Sequence, residues 1–96
     1  VQEYRWREGR WQPDGGLMVL QLPELAGRLQ RPMLVCGELT AEARHTLAEL
    51  APQARLCSPA EALRRPAFLA ELAWTRWQRG ETDDPVGLSP VYLHFA

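Results

Sequence analysis

The stretch from Pro66 to Gly80 most constrains what this chain can become. Pro66 lacks a backbone N–H and its ring clashes with the carbonyl four residues back, so a helix can begin at it but cannot run through it. Gly80 takes the left-handed conformation that a helix end often needs. Between them the chain carries no helix breaker. Ala67, Leu69, Ala70, Leu72, Ala73, Trp74 and Trp77 form a broad apolar arc, with Glu71, Thr75 and Gln78 on the wet side. An arc that wide calls for a sheet or two neighbouring elements to cover it. The spacing therefore predicts a core-packed helix to about Arg79, in which Leu72→Ala costs about 2–5 kcal/mol. Upstream, Ser58, Pro59 and Glu61 have the order of a capping box with Pro at the first helical position, which predicts a shorter helix ending in a break at Pro66.

Reading from the start, Val1 to Arg7 alternates, with Tyr4 and Trp6 on one face and Glu3 and Arg5 on the other, the period of a half-buried strand. Glu8-Gly9-Arg10 supplies a hairpin turn and Trp11 begins the return, so Trp6 and Trp11 can pair across it. Pro13-Asp14-Gly15-Gly16 either interrupts the return strand or precedes it, and Leu17 to Leu22 is strand-like in length. Pro23 and Glu24 open a helix whose inward residues are Leu22, Leu25, Ala26 and Leu29. Pro32 to Gly37 is a short apolar run, expected as a parallel strand buried on both faces. Thr40 caps a helix to Leu50, with Ala43, Leu47 and Leu50 inward and Glu42, His45 and Glu49 outward. Ala54 to Cys57 is the last strand. The order of hairpin, helix, strand, helix, strand, helix is that of an α/β chain with one mixed sheet and packed helices. Residues 1–96 read as a single domain, with 80–89 as a linker and 90–96 as a terminal tail.

Composition narrows the function classes. A formal net charge of −1 opposes a general nucleic-acid surface. All eleven cationic side chains are Arg, with no Lys, Ile or Asn, a coding bias that carries no function. No apolar run approaches the ~20 residues that span a bilayer, and the opening Val-Gln-Glu-Tyr-Arg has no signal-peptide core. Because that opening is already strand-like and lacks Met, the chain is expected to be a piece of a longer protein. Two Cys are too few for a disulfide framework, which points to a reducing cytosol.

No catalytic set stands out. Cys36, His45, Cys57 and His94 lack the close pairing of a zinc site, and their plain reading is two buried thiols and two surface imidazoles. A Cys–His nucleophile pair can be distant in sequence, yet nothing local supports one. Cys36-Gly37-Glu38 follows a strand and precedes a helix, where open α/β sheets bind ligands, but a single Gly reads first as a turn. Glu81, Asp83 and Asp84 read as a solvated acidic loop. Arg64, Arg65, Arg76 and Arg79 beside Trp74 and Trp77 have the mixture that binds single-stranded nucleic acid. Core packing of the tryptophans and a Glu61–Arg65 pair at i,i+4 are the stronger expectation. No catalytic, cofactor or metal residue is assigned. The candidate interface residues are Trp74, Trp77, Tyr92, Leu93 and His94.

Four segments, in order, resemble one bacterial family. Val1 to Trp11 is similar to the strand–turn–strand that opens the second half of TsaB proteins, without the Asp-Ala-Arg stretch that precedes it there. Met33-Leu-Val-Cys-Gly37 is similar to that family's buried strand. Trp74-Thr-Arg-Trp-Gln-Arg-Gly-Glu-Thr82 and Pro90-Val-Tyr-Leu93 resemble its final helix and tail, with His94 where the family has Arg. The resemblance implies the C-terminal half-unit of a ribonuclease-H-like, actin-like fold, related by ancestry to glycoproteases. It implies a non-catalytic scaffold in threonylcarbamoyladenosine modification of tRNA. Its partners would be the threonylcarbamoyl transferase subunit and a small ATPase, with self-association as a homodimer, no membrane contact, and tRNA reached only through the complex.

Each competing reading makes its own structural demand. The scaffold asks for exposed apolar surface where partners pack. An actin-like or peptidase-like enzyme asks for a polar cleft at Cys36-Gly37-Glu38 with strongly shifted titrating groups. A stand-alone α/β binding module asks for a closed core and no frayed edge at Val1.

Overall fold

The computed structural model describes residues 1–93. It opens with a hairpin of β1 (Glu3–Arg7) and β2 (Arg10–Asp14), paired antiparallel in the register Arg7↔Arg10, Trp6↔Trp11 and Tyr4↔Pro13. The loop is only Glu8 and Gly9, with φ of 53° and 76°. Two successive left-handed residues make a turn whose twist matches that of the strands, and Gly tolerates the second position without a Cβ clash. The two indoles lie at the close, non-hydrogen-bonded position and meet edge-on, with ring centroids 5.5 Å apart and planes at 73°. The return strand runs through Pro13 to Asp14, since a two-stranded ladder has an outer edge that needs no N–H there. Asp14 accepts from the Arg5 guanidinium, and that bond holds its carboxyl below the usual range.

Leu17 to Leu22 does not form a strand. It makes one backbone exchange with the N-terminus, Met18 N–H to the Val1 carbonyl at 2.9 Å and the Val1 ammonium to the Met18 carbonyl at 2.7 Å. Then come α1 (Leu22–Arg28), β3 (Leu34–Val35), α2 (Ala41–Leu50) and β4 (Arg55–Leu56). Thr40 accepts from Ala43 N–H at 3.1 Å and so starts α2 as its side chain predicts. β3 and β4 are parallel neighbours, Leu34↔Arg55 and Val35↔Leu56, joined through α2. Leu47 is fully buried, and with Ala26, Leu29 and Ala51 it forms the core, against which Leu22, Leu25, Met33, Val35, Leu39, Ala54 and Leu56 pack. The core therefore belongs to α1, α2 and the short parallel ladder. Arg28 reaches back to Glu3 at 3.5 Å and ties the hairpin to α1.

Several expectations change here. The chain is a small mixed α/β unit, but its strands form two separate two-stranded sheets rather than one mixed sheet. β3 is only two residues long and Leu34 is exposed, because β4 is its one partner. Leu50 is exposed rather than inward, because Ala51, four residues after Leu47, takes the core-facing position at the end of α2. Ser58 and Glu61 do make the reciprocal capping bonds, at 3.2 and 2.8 Å, but they close a single turn and not a helix.

The largest correction concerns α3 (Pro66–Gln78). It starts and stops where Pro66 and Gly80 predict, with Gly80 at φ 73°. None of its residues is buried, and Leu72 is 66% exposed. The apolar arc is present and uncovered, so the expected loss on Leu72→Ala does not follow from this fold. Beyond α3, Asp84 accepts from Val86 N–H at 3.0 Å and opens a single 3-10 turn at Pro85–Gly87.

Candidate functional site: a thiol pair and an aromatic helix face

Two places on the molecule gather unusual side chains. The first lies at the C-terminal ends of β3 and β4. The ladder continues past Leu56 through Cys57 N–H, which donates to the Val35 carbonyl at 2.9 Å. The next register position therefore places Cys36 beside Cys57, and their sulfurs are 2.6 Å apart. Cys57 is buried and further fixed by Arg44, whose guanidinium donates to its carbonyl at 2.7 Å. Cys36 is exposed, against the expectation of two buried thiols, because the chain leaves the sheet immediately after it at Gly37. The hydrogen bond between the Cys36 thiol and the Cys57 sulfur, and then partial desolvation, push the Cys36 thiol up to about 11.

Beside this pair is a hollow of about 350 Å³ lined by Glu38, Leu39, Ala41, Arg44, Pro59, Ala62 and Leu63. Arg64 reaches across to Glu38 at 3.1 Å. Glu61 is held below the usual carboxylate range by its bonds from the Ser58 backbone and hydroxyl. The expected Glu61–Arg65 pair does not form, since Glu61 turns back to Ser58 and Arg65 donates to the Ala60 carbonyl. A nucleophilic thiol needs a lowered pKa or an adjacent base. Cys36 is shifted the other way, and His45 is turned to Glu49 on the outward face of α2, 3.2 Å away. Among the described residues no three His, Cys, Asp or Glu side chains converge as a metal site.

The second place is the face of α3. Trp74 and Trp77, three residues apart, stack with centroids 5.2 Å apart and planes at 27°. Both are more than half exposed, as are Phe68, Leu69 and Leu72 along the same helix. Of the arginines near them, Arg76 is engaged, 3.5 Å from Glu81 and 3.9 Å from Asp83. That pairing offsets the charge of Arg76, part of what a nucleic-acid strand would need, and it gives the acidic loop a local partner. Tyr92 is exposed and Leu93 is at the margin of exposure. His94 lies outside the described residues.

Of the candidate interface residues, the helix brings Trp74 and Trp77 together. The sequence favours core packing for these indoles while also offering them as interface, and the structure leaves them exposed; the thiol pair is not singled out by the sequence. The signal for the pair was available: each Cys immediately follows the short strand run, so parallel pairing in equal register sets the two side by side. No helix among the described residues is long and apolar enough to cross a membrane. No protein-family model matches the chain, and no match was found among curated proteins or solved structures.

Proposed function

We propose that this chain is the C-terminal portion of a cytoplasmic, non-catalytic scaffold subunit for threonylcarbamoyladenosine modification of tRNA. It would bridge a threonylcarbamoyl transferase subunit and a small ATPase, with the aromatic face of α3 as its docking surface. The named pathway rests on the resemblance of Val1–Trp11, Met33–Gly37, Trp74–Thr82 and Pro90–Leu93 to the TsaB family.

The observation that carries the scaffold reading is uncovered apolar surface. The chain exposes 8232 Å², whereas a compact folded monomer of 10.9 kDa exposes about 5,600 Å². Its radius of gyration is 15.9 Å, against about 12.5 Å for a compact chain of this length. The surplus is several times the ~800 Å² that one partner buries in a standard interface. Among the described residues, five of the nineteen exposed large apolar side chains, Phe68, Leu69, Leu72, Trp74 and Trp77, share α3. A self-contained binding module would bury that helix, and a Cys-dependent enzyme would lower the Cys36 pKa rather than raise it. In this reading the hairpin and the β3–α2–β4 crossover belong to a ribonuclease-H-like, actin-like half-unit completed by the rest of the protein.

The test is a tagged full-length gene product recovered from its native cytoplasm, with bound proteins identified by mass spectrometry. Recovery of a threonylcarbamoyl transferase subunit and a small ATPase, lost when Trp74 and Trp77 are both changed to Ala, is the expected result. A clean monomer carrying neither protein overturns the proposal.

A further inference from the structure

We propose that Cys36 and Cys57 are a redox modification site: a dithiol that a low-molecular-weight disulfide of the glutathione class converts to an intramolecular disulfide across the parallel β3–β4 ladder.

The geometry comes from the register. Val35 faces Leu56, so Cys36 and Cys57 are the next pair along adjacent parallel strands. Neighbouring strands run about 4.8 Å apart, within the ~4.4–6.8 Å between Cα atoms that a disulfide spans. The sulfurs already stand 2.6 Å apart, and bonding at about 2.05 Å needs a closure of roughly half an ångström. The backbone of Cys57 is pinned by the Val35 carbonyl and the Arg44 guanidinium, so the pair does not depend on a mobile loop to meet.

The two thiols have different access, which orders the chemistry. Cys36 is exposed and Cys57 is buried. Cys36 reacts slowly through the minor thiolate form that solvent deprotonation leaves: it attacks one sulfur of the small disulfide, forms a mixed disulfide and expels one glutathione thiolate. Cys57, deprotonated in turn, attacks the Cys36 sulfur, forms the Cys36–Cys57 bond and expels the second glutathione. The two protein thiols lose two electrons and two protons. The electrons reduce the small disulfide, and the protons end on the two glutathione thiols.

The bond would act at a weak point. Each strand of this ladder has two residues, and the covalent tie spans 21 positions of chain that include all of α2. It also lies just before the Ser58–Glu61 turn that leads to α3. Oxidation therefore fastens the crossover from which the aromatic helix departs. A reversible bond of this kind is the form that disulfides usually take in a reducing compartment.

The experiment equilibrates the full-length protein with graded ratios of oxidised to reduced glutathione, quenches in acid, alkylates remaining thiols and reads intact mass and peptide maps. The expected result is a single transition in which both thiols disappear together with the loss of two hydrogens, and in which no glutathione stays attached. Cys36→Ser and Cys57→Ser, checked for folding by circular dichroism, should each leave one thiol that takes up glutathione instead. The effective concentration of one thiol at the other should fall at least tenfold in denaturant, toward the millimolar value of a flexible chain. Thiols that stay alkylatable at every ratio, mixed or intermolecular disulfides alone, or an equal effective concentration in denaturant would each overturn the proposal.

Discussion

Leu47 and Leu72 are both helical leucines with apolar neighbours at helical spacing, and the fold gives them opposite fates. Leu47 is fully buried and Leu72 is 66% exposed. Truncating Leu47 to Ala removes three carbon groups, which at about 0.8 kcal/mol each is roughly 2.4 kcal/mol of lost transfer energy. The cavity left between α1, α2 and the β3–β4 ladder adds to that, so a total of about 3–4 kcal/mol is expected. Folded domains hold only about 5–15 kcal/mol, so Leu47→Ala should remove a large share of the stability. Leu47→Val, at about 1 kcal/mol, keeps the comparison measurable. Leu72→Ala removes atoms that touch water and places the best helix former in α3, so its cost should lie below about 0.5 kcal/mol. The assay is urea unfolding of the full-length protein followed by far-ultraviolet circular dichroism. Tryptophan emission is a poor reporter, because all four indoles are more than half exposed in the folded state. A loss below about 1 kcal/mol for Leu47→Ala would refute the placement of the core. A loss above about 2 kcal/mol for Leu72→Ala would mean that α3 is covered within the same protein, as its arc alone predicts.

Thr40→Ala should cost about 1 kcal/mol by removing the oxygen that receives Ala43 N–H, while Thr40→Ser should restore most of it; the same urea titration reads both. Gly9→Ala should cost the hairpin about 1 kcal/mol, because Gly9 sits at φ 76°. The readout is the far-ultraviolet signal of the coupled Trp6 and Trp11, which should weaken; an unchanged signal would contradict the turn. Alkylation of Cys36 should stay slow at neutral pH and accelerate only as the pH approaches about 11, and Cys57→Ser should bring that midpoint back toward the ordinary 9.0. Since the folded-state value is the higher one, the thiol's contribution to stability is whole below about 9 and is lost as the pH rises through 11. A Cys36 midpoint at the ordinary value in the unmodified protein would remove the thiol–thiol hydrogen bond from the account.

What the sequence made legible was local. The place of the hairpin turn needed only Gly9 and its alternating flanks, although the turn is Glu8 and Gly9 alone, with Arg10 already in β2 rather than in the turn. The start of α2 needed Thr40, and the limits of α3 needed Pro66 and Gly80. Each of these is decided within a few residues by a dihedral preference or one side-chain bond. What stayed hidden depended on which element meets which. The run from Pro32 to Gly37 has the apolar character of a central strand, yet only Leu34 and Val35 pair, because a strand is as long as the partner beside it. Leu50 lies three residues after Leu47 on the same helix, but Ala51, four after it, is the residue that faces the core. The Ser58–Glu61 box forms as its chemistry requires, but a cap stabilises a first turn and does not supply the packing that extends a helix. The thiol pair was hidden for a related reason: it exists only once the register of two strands is chosen.

The same distinction explains why α3 carries the functional argument. A helix of 13 residues is marginal alone in water, since most helical stability in proteins comes from packing an apolar face. The stacked Trp74 and Trp77 add a few tenths of a kcal/mol at i,i+3, which does not replace that packing. Fully covering residues such as Leu69, Leu72, Trp74 and Trp77 would contribute about 1.5–3 kcal/mol for each large apolar side chain. Association and ordering cost a comparable total, about 4–15 kcal/mol. The two nearly offset each other, so in the proposed scaffold ordering α3 and covering it would be coupled steps of one equilibrium. A partner of the proposed kind would gain most when the helix is already formed, and would hold the helix most firmly when present. Pro66 and Gly80, which confine the helix to the segment bearing the aromatic face, thereby set the length of the surface on which that equilibrium acts.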